Sequence, residues 1–264
     1  MQKQIVEEMK VKPIIDIQEE IRVRIDFIKN ELINSNLKTL VLGISGGQDS
    51  TLLGKLAQMA IDELNQEDDD YSFIAMRLPY GIQFDEEDCQ LAIEFIKPNK
   101  VITSNIKSAV DSIVEDFKNS DVEITDFNKG NIKARIRMVN QYALAGSVGA
   151  LVLGTDHSSE NITGFFTKHG DGACDIAPLF GLNKRQGKQL LRYLNAPSIL
   201  IDKIPTADLE EEKPANPDEI SLGISYDEID DYLEGKEINV ESKNILENHY
   251  IKSRHKRILP KTIY

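Results

Sequence analysis

The clearest periodic pattern lies near the N-terminus, where apolar residues recur at steps of four, four, three and four. This spacing is that of one face of an amphipathic helix. The residues on the face are Ile17, Ile21, Ile25, Ile28 and Leu32. Because the pattern precedes the first strand-like run, the face must pack on the sheet or on a partner.

Four short apolar runs farther along the chain predict buried strands. They cover residues 39–43, 72–78, 100–104 and 150–154. Helix-forming sequence separates them, at about 50–65, 85–96 and 132–143. Strands that alternate with helices favour crossover connections, so we predict an α/β fold with a parallel sheet flanked by helices. Ligands of such sheets bind at the carboxyl ends of the strands.

Composition narrows the class of protein. The chain has 264 residues, of which 41% are apolar and 28% charged, as in soluble globular proteins. Its 31 basic and 44 acidic residues give a net charge of −13, which disfavours binding to nucleic acid. No run of about 18 apolar residues predicts a membrane span, and the charged N-terminus has no signal-peptide core. Cys89 and Cys174 lack metal-like spacing and favour a reducing, cytoplasmic setting.

A glycine-rich segment connects the first strand to the helix that follows. It consists of Gly43, Ile44, Ser45, Gly46, Gly47, Gln48, Asp49 and Ser50. Glycines let the backbone approach an anion closely, and a helix N-terminus offers unpaired N–H groups. The serine hydroxyls add donors, and the Asp49 carboxylate suits Mg²⁺. The Gly-Lys-Ser/Thr ending of a Walker loop is absent, and a plain glycine turn capped by Asp49 is the alternative.

The segment 43–50 resembles the Ser-Gly-Gly-x-Asp-Ser loop of the ATP-pyrophosphatase superfamily, whose fold is adenine-nucleotide alpha-hydrolase-like and Rossmann-like. Further strings follow in order, at 126–138, 153–175, 178–184, 203–210 and 255–257. As an ordered set over about residues 13–260, they are similar to the ammonia-dependent NAD synthetases. The resemblance implies a doubly wound, mostly parallel five-stranded sheet and a homodimer. The N-terminal helix agrees with a dimer, because its apolar face exceeds what five strands need to cover.

The same resemblance implies a ligase that amidates deamido-NAD to NAD in two steps. ATP adenylates the nicotinate carboxylate and pyrophosphate leaves, and ammonia then displaces AMP. The residues implied for ATP are 43–50, Arg77, Thr155, Lys184 and Thr206, with Asp49, Lys184 and Thr206 as the catalytic ones. Those implied for deamido-NAD are Phe127, Arg135, Lys168, Asp175, His255 and Lys256. Asp49 and Glu160 are implied as ligands of Mg²⁺.

Several of these residues also have a plainer interpretation. The two threonines could cap helices instead of binding ATP, and Glu160 suits a helix N-terminus. Phe127 is equally compatible with the core, and the basic pair 255–256 with a helix end. Lysine at 184 is compatible with a solvated surface. His157 and His169 do not have the spacing of a zinc site.

Two arginines on the long predicted helix differ in helical position. At about 100° per residue, Arg135 lies nearer the apolar stripe of that helix than Arg137 does. We therefore predict Arg135 at the buried border, where a phosphate or carboxylate could meet it, and Arg137 toward solvent.

We predict a single domain over residues 1–264. Its parts are a helical extension at about 1–36, an α/β core at 37–205, a loop at 207–225 and a helical segment at 226–264. The loop is polar and contains proline, which fits a mobile lid over the site and equally an ordinary surface loop.

Two other classes of function share the phosphate loop. The first comprises enzymes that thiolate tRNA or form lysidine, and the ATP-using part of amidotransferases; tRNA favours a basic face, and thiolation a reactive cysteine. The second is a nucleotide sensor, which would need the loop but not Glu160, Lys168, Lys184 and Thr206 together. Use of glutamine would require a further nucleophilic site, for which the strings at 43–256 leave no room. We therefore expect free ammonia as the nitrogen donor.

Overall fold

The computed structural model describes residues 1–66, 70–82, 85–206, 211–212 and 216–263. Two pieces of the predicted lid, 207–210 and 213–215, lie outside the described residues. The strands are β1 Thr39–Gly43, β2 Ser72–Arg77, β3 Lys100–Thr103 and β4 Ala150–Val152. The helices are α1 Gln2–Met9, α2 Ile17–Asn34, α3 Gln48–Leu64, α4 Glu86–Ile96, α5 Lys107–Asp116, α6 Asp126–Val148, α7 Ser158–Thr163, α8 Lys184–Tyr193, α9 Ser198–Asp202, α10 Asp218–Leu222, α11 Tyr226–Leu233, α12 Val240–Lys252 and α13 Arg254–Arg257.

The strands form one sheet in the order β3-β2-β1-β4, and every neighbouring pair is parallel. Thr39 of β1 lies opposite Ser72 of β2 and Ala150 of β4. The predicted parallel, doubly wound α/β fold is therefore confirmed. The strand order reverses between β1 and β4, and this reversal is where open parallel sheets bind their ligands.

The predicted number of strands is wrong, because the described part of the chain contains four rather than five. Beyond β4 the chain returns to the sheet at Ile176, which forms a single parallel bridge with Leu153. The N–H of Gly154 donates to the Ile176 carbonyl at 2.9 Å. Pro178 follows two residues later and has no N–H to continue a ladder. The contact at this edge therefore stays a bridge.

Helices cover both faces of the sheet. Leu40 and Leu42 of β1 are buried in a core that also contains residues of α2, α3, α4 and α8. Val41, between them, is buried on the other face with residues of α5 and α6. This alternation follows from the two-residue period of a strand. Burial on both faces is typical of parallel sheets.

The amphipathic pattern near the N-terminus forms α2, which the side chain of Asp16 caps. Its residues Ile21, Ile25, Ile28 and Leu32 are buried in the same chain, where α2 packs against α3 and α8. The argument that this face calls for a second copy is therefore wrong, since the chain itself covers the face.

A smaller apolar core joins the two ends of the chain. Ile5 and Met9 of α1 pack with Ile229 and Tyr232 of α11 and with Leu246 of α12. The first helix thus packs with the C-terminal segment, while α2 packs with the sheet. Across the described ranges, no helix combines the length and apolarity needed to cross a membrane.

Candidate active site

The glycine-rich segment leaves β1 and enters α3 at the carboxyl edge of the sheet. Gly46 has φ +77°, and a Cβ at this residue would lie 2.6 Å from the backbone N of Cys89, so glycine is required. Ser45 Oγ accepts a hydrogen bond from the Gly47 N–H at 3.2 Å and lies 3.1 Å from Ser50 Oγ. Gly47 is the N-cap of α3 and has no side chain to offer the first N–H groups of the helix. These groups are therefore available to an anion.

Four charged or titratable side chains meet beside this loop. Lys184 Nζ lies 2.6 Å from Asp49 Oδ2 and 3.5 Å from Glu160 Oε1. His157 Nε2 lies 3.3 Å from Glu160 Oε1 and 3.5 Å from Asp49 Oδ1. It also lies 3.4 Å from Lys184 Nζ. Asp49 thus pairs with a lysine instead of capping α3, and Lys184 is not a surface residue. We call these four residues the charged cluster.

Helix beginnings bring the charged cluster together. Asp49 lies in the first turn of α3, Glu160 lies in the first turn of α7, and Lys184 is the first residue of α8. Asn183 caps α8 by accepting a hydrogen bond from the Gln186 N–H at 2.8 Å. Because the N-terminal ends of helices carry partial positive charge, this corner favours phosphate groups.

The members of the cluster stabilise one another's charges. Burial lowers the pKa of Lys184, but Asp49 and Glu160 outweigh burial and raise it overall. Burial raises the pKa of Glu160, but His157 and Lys184 outweigh it and hold that pKa well below its usual range. For His157, burial lowers the pKa, and Glu160 and Asp49 raise it overall. Lys184 is only 3% exposed, so its ammonium is a buried and compensated positive charge.

Three members of the cluster could hold a metal ion. One ligand atom each from Asp49, His157 and Glu160 lies within 4.8 Å of the others. Mg²⁺ prefers carboxylate oxygens and retains several waters, so Asp49 and Glu160 fit the predicted ion. An imidazole nitrogen suits softer ions better, and His157 is placed to orient the two carboxylates. His169 does not belong to this group.

The other residues predicted to bind ATP lie at strand ends and at the base of the predicted lid. Arg77 ends β2 and forms an ion pair with Glu86 of α4. Thr155 is half-buried in the loop that follows β4. Thr206 forms an isolated antiparallel bridge with Pro217. His157, not Thr155, is the N-cap of α7, so the helix-cap alternative does not apply to Thr155.

Two described residues of the predicted lid, 211–212, contact the beginning of α6. The later described part, 216–225, is not all loop as predicted, because it contains α10. The carboxylate of Asp126 accepts hydrogen bonds from the N–H groups of Glu211 and Glu212, at 3.0 and 2.9 Å. The Glu211 carboxylate pairs with Lys129 at 2.9 Å and with Lys133 at 3.0 Å. These contacts attach the segment to α6.

Four of the residues predicted for deamido-NAD lie at a meeting of α6, the chain after α7, and α13. Arg135 donates to the Lys168 carbonyl at 3.3 Å, and Lys168 Nζ donates to the His255 carbonyl at 2.6 Å. Lys256 Nζ donates to two backbone carbonyls just after α7, at 2.7 and 2.6 Å. Lys256 therefore satisfies the carbonyl end of α7, not that of its own helix.

The remaining two predicted residues have different surroundings. Asp175 accepts hydrogen bonds from the Val152 N–H at 2.7 Å and from the Tyr142 hydroxyl at 3.2 Å, and so secures the edge of β4. Phe127 is 64% exposed on α6. This exposure is incompatible with core filling, and a stacking role for Phe127 stays a prediction.

The predicted contrast between the two arginines of α6 is wrong. Arg135 is exposed, whereas Arg137 is half-buried and donates to the Leu78 carbonyl at 3.1 Å. The apolar stripe used for that prediction is only partly buried, since Ile132 and Ile136 pack against the core of that face of the sheet while Val139 is 50% exposed. The residues of α6 that are buried against other elements or bonded to them include Gly130, Ala134, Arg137, Gln141 and Ala145. The small residues Gly130, Ala134 and Ala145 let α6 approach the sheet closely, and Ile132 and Ile136 pack beside them.

Sequence reasoning missed two residues of the site. His157 lies three positions before Glu160, which places both in one helical turn, and this spacing was the available signal. The ring centroid of Tyr226 lies 5.0 Å from Lys184 Nζ. No short sequence motif around Tyr226 predicts this contact, because the contact results from the packing of α11 near α8.

Comparisons with known proteins agree with this geometry. The family model described as NAD synthase matches residues 20–260. A protein of Streptococcus uberis called NH(3)-dependent NAD(+) synthetase is 59% identical over 267 aligned residues, which cover 100% of this chain and 97% of that protein.

Two solved structures share the fold over nearly the whole chain. NAD+ synthetase from Burkholderia pseudomallei superposes with a TM-score of 0.85 at 42% identity, covering 98% of this chain and 96% of the other. NMN synthetase from Francisella tularensis gives a TM-score of 0.84 at 31% identity, covering 94% of this chain and 99% of the other. With a phosphate loop, a charged cluster and relatives of this similarity, the chain belongs to the NAD synthase family.

Proposed function

We propose that the chain amidates deamido-NAD to NAD with ammonia and ATP, through a nicotinate adenylate. The observation that carries the proposal is the position of Lys184 between Asp49 and Glu160, beside the beginning of α3. A buried ammonium and two carboxylates at a phosphate loop are what adenylation requires, because negative charge grows on the departing pyrophosphate.

In the first step, the nicotinate carboxylate attacks the α-phosphorus of ATP and pyrophosphate leaves. Residues 43–50 bind the phosphates through N–H groups and hydroxyls, and Arg77, Thr155 and Thr206 contact the nucleotide. Lys184 offsets the charge that develops on pyrophosphate. Asp49 and Glu160 would hold Mg²⁺, which supplies further positive charge to the phosphate oxygens.

In the second step, ammonia attacks the acyl carbon of the adenylate and AMP leaves. The attacking molecule must be neutral ammonia, because ammonium has no lone pair. Water must be kept from the mixed anhydride, which is the role we assign to the lid at 207–225. Burial raises the pKa of Cys89, and burial raises that of Cys174 to about 11. Neither thiol is therefore activated to take nitrogen from glutamine.

Deamido-NAD carries two phosphates and a carboxylate, so its binding site needs cations and a stacking surface. Arg135, Lys168 and Lys256 supply the cations, and Phe127 offers an exposed ring for the nicotinate. His255 and Asp175 complete the proposed contacts.

We infer a homodimer from α6 rather than from α2. This 23-residue helix is the longest in the described ranges, and it buries only Gly130, Lys133, Ala134 and Ala145. Val139 and Val148 on it are 50% and 45% exposed. A second copy of the chain that covers α6 would remove this apolar surface from water. Both cysteines are free thiols, which fits the reducing cytoplasm in which we place the enzyme.

A second candidate reaction is amidation of nicotinate mononucleotide. The similarity to the NMN synthetase structure favours it, because the TM-score of 0.84 is almost that of the NAD+ synthetase structure, 0.85. The two substrates differ by the adenylate half of deamido-NAD, which is absent from the mononucleotide.

Competition between the two substrates tests the proposal. Purified chain is incubated with ATP, Mg²⁺ and ammonium, and with deamido-NAD and nicotinate mononucleotide at equal concentrations. We expect NAD to form with AMP and pyrophosphate in equal amounts, and little NMN. Predominant formation of NMN would favour the second reaction. Glutamine freed of ammonia serves as the control donor, and glutamate formed in step with NAD would contradict the assignment of ammonia.

A further inference from the structure

A buried tyrosine lies next to the Lys184 ammonium, and a buried aspartate accepts a hydrogen bond from that tyrosine. Lys184 Nζ lies 5.0 Å from the ring centroid of Tyr226, within the range of a cation–π contact. The Tyr226 hydroxyl donates to Asp218 Oδ2 at 3.2 Å. Both residues are 6% exposed. Within the described residues, Asp218 Oδ1 has no hydrogen-bond partner although it is buried.

The helix that carries Tyr226 also holds the backbone of Lys184. Asp230 lies one helical turn after Tyr226 in α11, so both point from the same side of the helix. Asp230 Oδ1 accepts a hydrogen bond from the Lys184 N–H at 3.2 Å, and Oδ2 accepts one from the Arg185 N–H at 2.7 Å. One side of α11 thus contacts both ends of Lys184, the ammonium through Tyr226 and the peptide N–H through Asp230.

Asp218 reaches the site from a different element. It begins α10, and its N–H donates to the Pro205 carbonyl at 3.0 Å. The neighbouring Pro217 forms the bridge with Thr206. The position of the Asp218 carboxylate is therefore determined by the backbone at the base of the 207–216 segment. Its negative charge remains near Lys184 without taking part in the cluster's ion pairs.

The charge contacts of Lys184 change when the proposed metal binds. Its two ion-pair partners, Asp49 and Glu160, are the carboxylates assigned to Mg²⁺. Once they bind the metal, they contribute less to stabilising the ammonium. A buried ammonium that loses its partners is costly. Tyr226 and Asp218 are not assigned to the metal, so the Tyr226 ring would keep its contact with Lys184 and the Asp218 carboxylate its bond to the Tyr226 hydroxyl.

We propose that Tyr226 and Asp218 are positioning residues that hold the Lys184 ammonium toward pyrophosphate once Asp49 and Glu160 bind the metal. The inference rests on the proposed function, since it needs adenylation to occur at this cluster. The Tyr226 ring contributes an electron-rich face, and Asp218 contributes charge and fixes the tyrosine hydroxyl.

Three substitutions separate these contributions. Tyr226→Leu removes the ring, Tyr226→Phe keeps the ring and removes the bond to Asp218, and Asp218→Asn keeps an acceptor and removes charge. We expect Tyr226→Leu to lower kcat by about tenfold, with the KM for deamido-NAD within about twofold. Tyr226→Phe and Asp218→Asn should each lower kcat by about threefold.

A matched control comes from the same helix. Tyr232 is fully buried in α11, and its hydroxyl donates to Glu247 at 2.9 Å in the smaller core. Tyr232→Phe therefore removes the same kind of hydrogen bond without contacting Lys184, and it should leave kcat unchanged. If wild-type chain makes NAD and Tyr226→Leu, still folded, keeps the wild-type kcat, the proposal is overturned.

A binding measurement tests the inference without any turnover. Inorganic pyrophosphate is titrated into wild type and Tyr226→Leu by calorimetry, with and without Mg²⁺. We expect the substitution to weaken binding by about tenfold with Mg²⁺, and by less without Mg²⁺, because Asp49 and Glu160 then still hold Lys184. Equal weakening in both conditions, or none with Mg²⁺, contradicts the positioning role. This result stands even where the wild type fails to make NAD, so failure of the proposed function is distinguished from failure of the inference.

Discussion

At the scale of single residues, the charged cluster is defined by competition between two cations. Asp49 lies 2.6 Å and Glu160 lies 3.5 Å from the Lys184 ammonium. The same carboxylates are those that suit Mg²⁺. Under the proposed function, Mg²⁺ held by these carboxylates would weaken their pairing with Lys184, whose ammonium would then be able to interact with the phosphates.

Removing the charge of either carboxylate should weaken metal binding more than substrate binding. Asp49→Asn and Glu160→Gln keep the size of each side chain. We expect each to raise the Mg²⁺ concentration needed for half-maximal pyrophosphate release by about tenfold, the equivalent of about 1.4 kcal/mol. The affinity for deamido-NAD should change by less than about twofold. Glu63→Gln, at the far end of α3, is the control. An unchanged Mg²⁺ dependence in both variants would show that the metal assignment is wrong.

Asp218 gives the site a measurable pH dependence of stability. Burial raises the pKa of Asp218 from its ordinary 3.8 to about 6. Between these values the folded state holds a proton that the unfolded state releases, so stability falls as pH rises through this window. Asp218→Asn has no such proton. The free energy of unfolding of Asp218→Asn, measured relative to that of wild type, should therefore rise by up to about 3 kcal/mol between pH 4 and pH 7. Urea unfolding of both proteins across that range measures it, and a constant difference would contradict the raised pKa.

Short sequence motifs were enough to predict those site residues that lie within the motifs themselves. Asp49, Glu160 and Lys184 come from three separate strings, and the structure brings all three within ion-pair distance. Tyr226 and Asp218 could not be predicted in this way. They reach Lys184 through the packing of α10 and α11, and no pattern within either segment reports that packing.

At the scale of elements, periodicity predicted which segments are helices better than which side they bury. The four apolar runs became β1 to β4, and α2 buries the face that its spacing indicates. On α6, the stripe of branched residues coincides with the buried side only in part, because Ile132 and Ile136 pack against the core and Val139 is exposed. Small residues let a helix approach a sheet closely, so Gly130, Ala134 and Ala145 are buried although an apolar stripe does not mark them.

Two neighbouring residues of the C-terminal helix α13 allow substrate binding and structural support to be tested separately. His255→Ala removes a side chain whose residue contacts Lys168 only through its backbone carbonyl. Lys256→Ala also removes two hydrogen bonds to carbonyls after α7. Both should raise the KM for deamido-NAD with little change in kcat. Only Lys256→Ala should also lower the free energy of unfolding, by about 2 kcal/mol.

Steady-state kinetics and urea unfolding of the two variants check this distinction. A KM for deamido-NAD equal to that of wild type in both variants would mean that α13 supports the fold and does not bind the substrate. Equal loss of stability in both would show that the carbonyl contacts of Lys256 are not what stabilises this corner.

At the scale of the whole molecule, the charge of −13 opposes the approach of anionic substrates. Cations are therefore needed where substrates bind. The lysines and arginine of the group with Arg135 provide such local positive charge, and Lys129 and Lys133 at the start of α6 add to it although Glu211 pairs with both. Residues of α6 belong to both regions, and the side of α6 that carries the exposed Val139 is where we place the second copy.

Assembly should depend on that side of α6. Wild type is expected to sediment as a dimer at micromolar concentration. Val139→Arg should shift it toward monomer, because a charge would be buried in the contact. Val23→Arg is the control, since Val23 is 53% exposed on α2. A wild type that sediments as an active monomer would contradict the proposed homodimer.

The central claim is that the carboxylate is adenylated before nitrogen reaches it. Deamido-NAD labelled with ¹⁸O in its nicotinate carboxylate tests this directly, with ATP, Mg²⁺ and ammonium, followed by mass spectrometry of the nucleotides. Attack of the carboxylate on the α-phosphorus places one labelled oxygen between the acyl carbon and the phosphorus. When ammonia then displaces AMP, that oxygen leaves with AMP. We predict one ¹⁸O in the AMP formed and unlabelled pyrophosphate. Label in inorganic phosphate, formed together with ADP, would show an acyl phosphate instead and would contradict the adenylate.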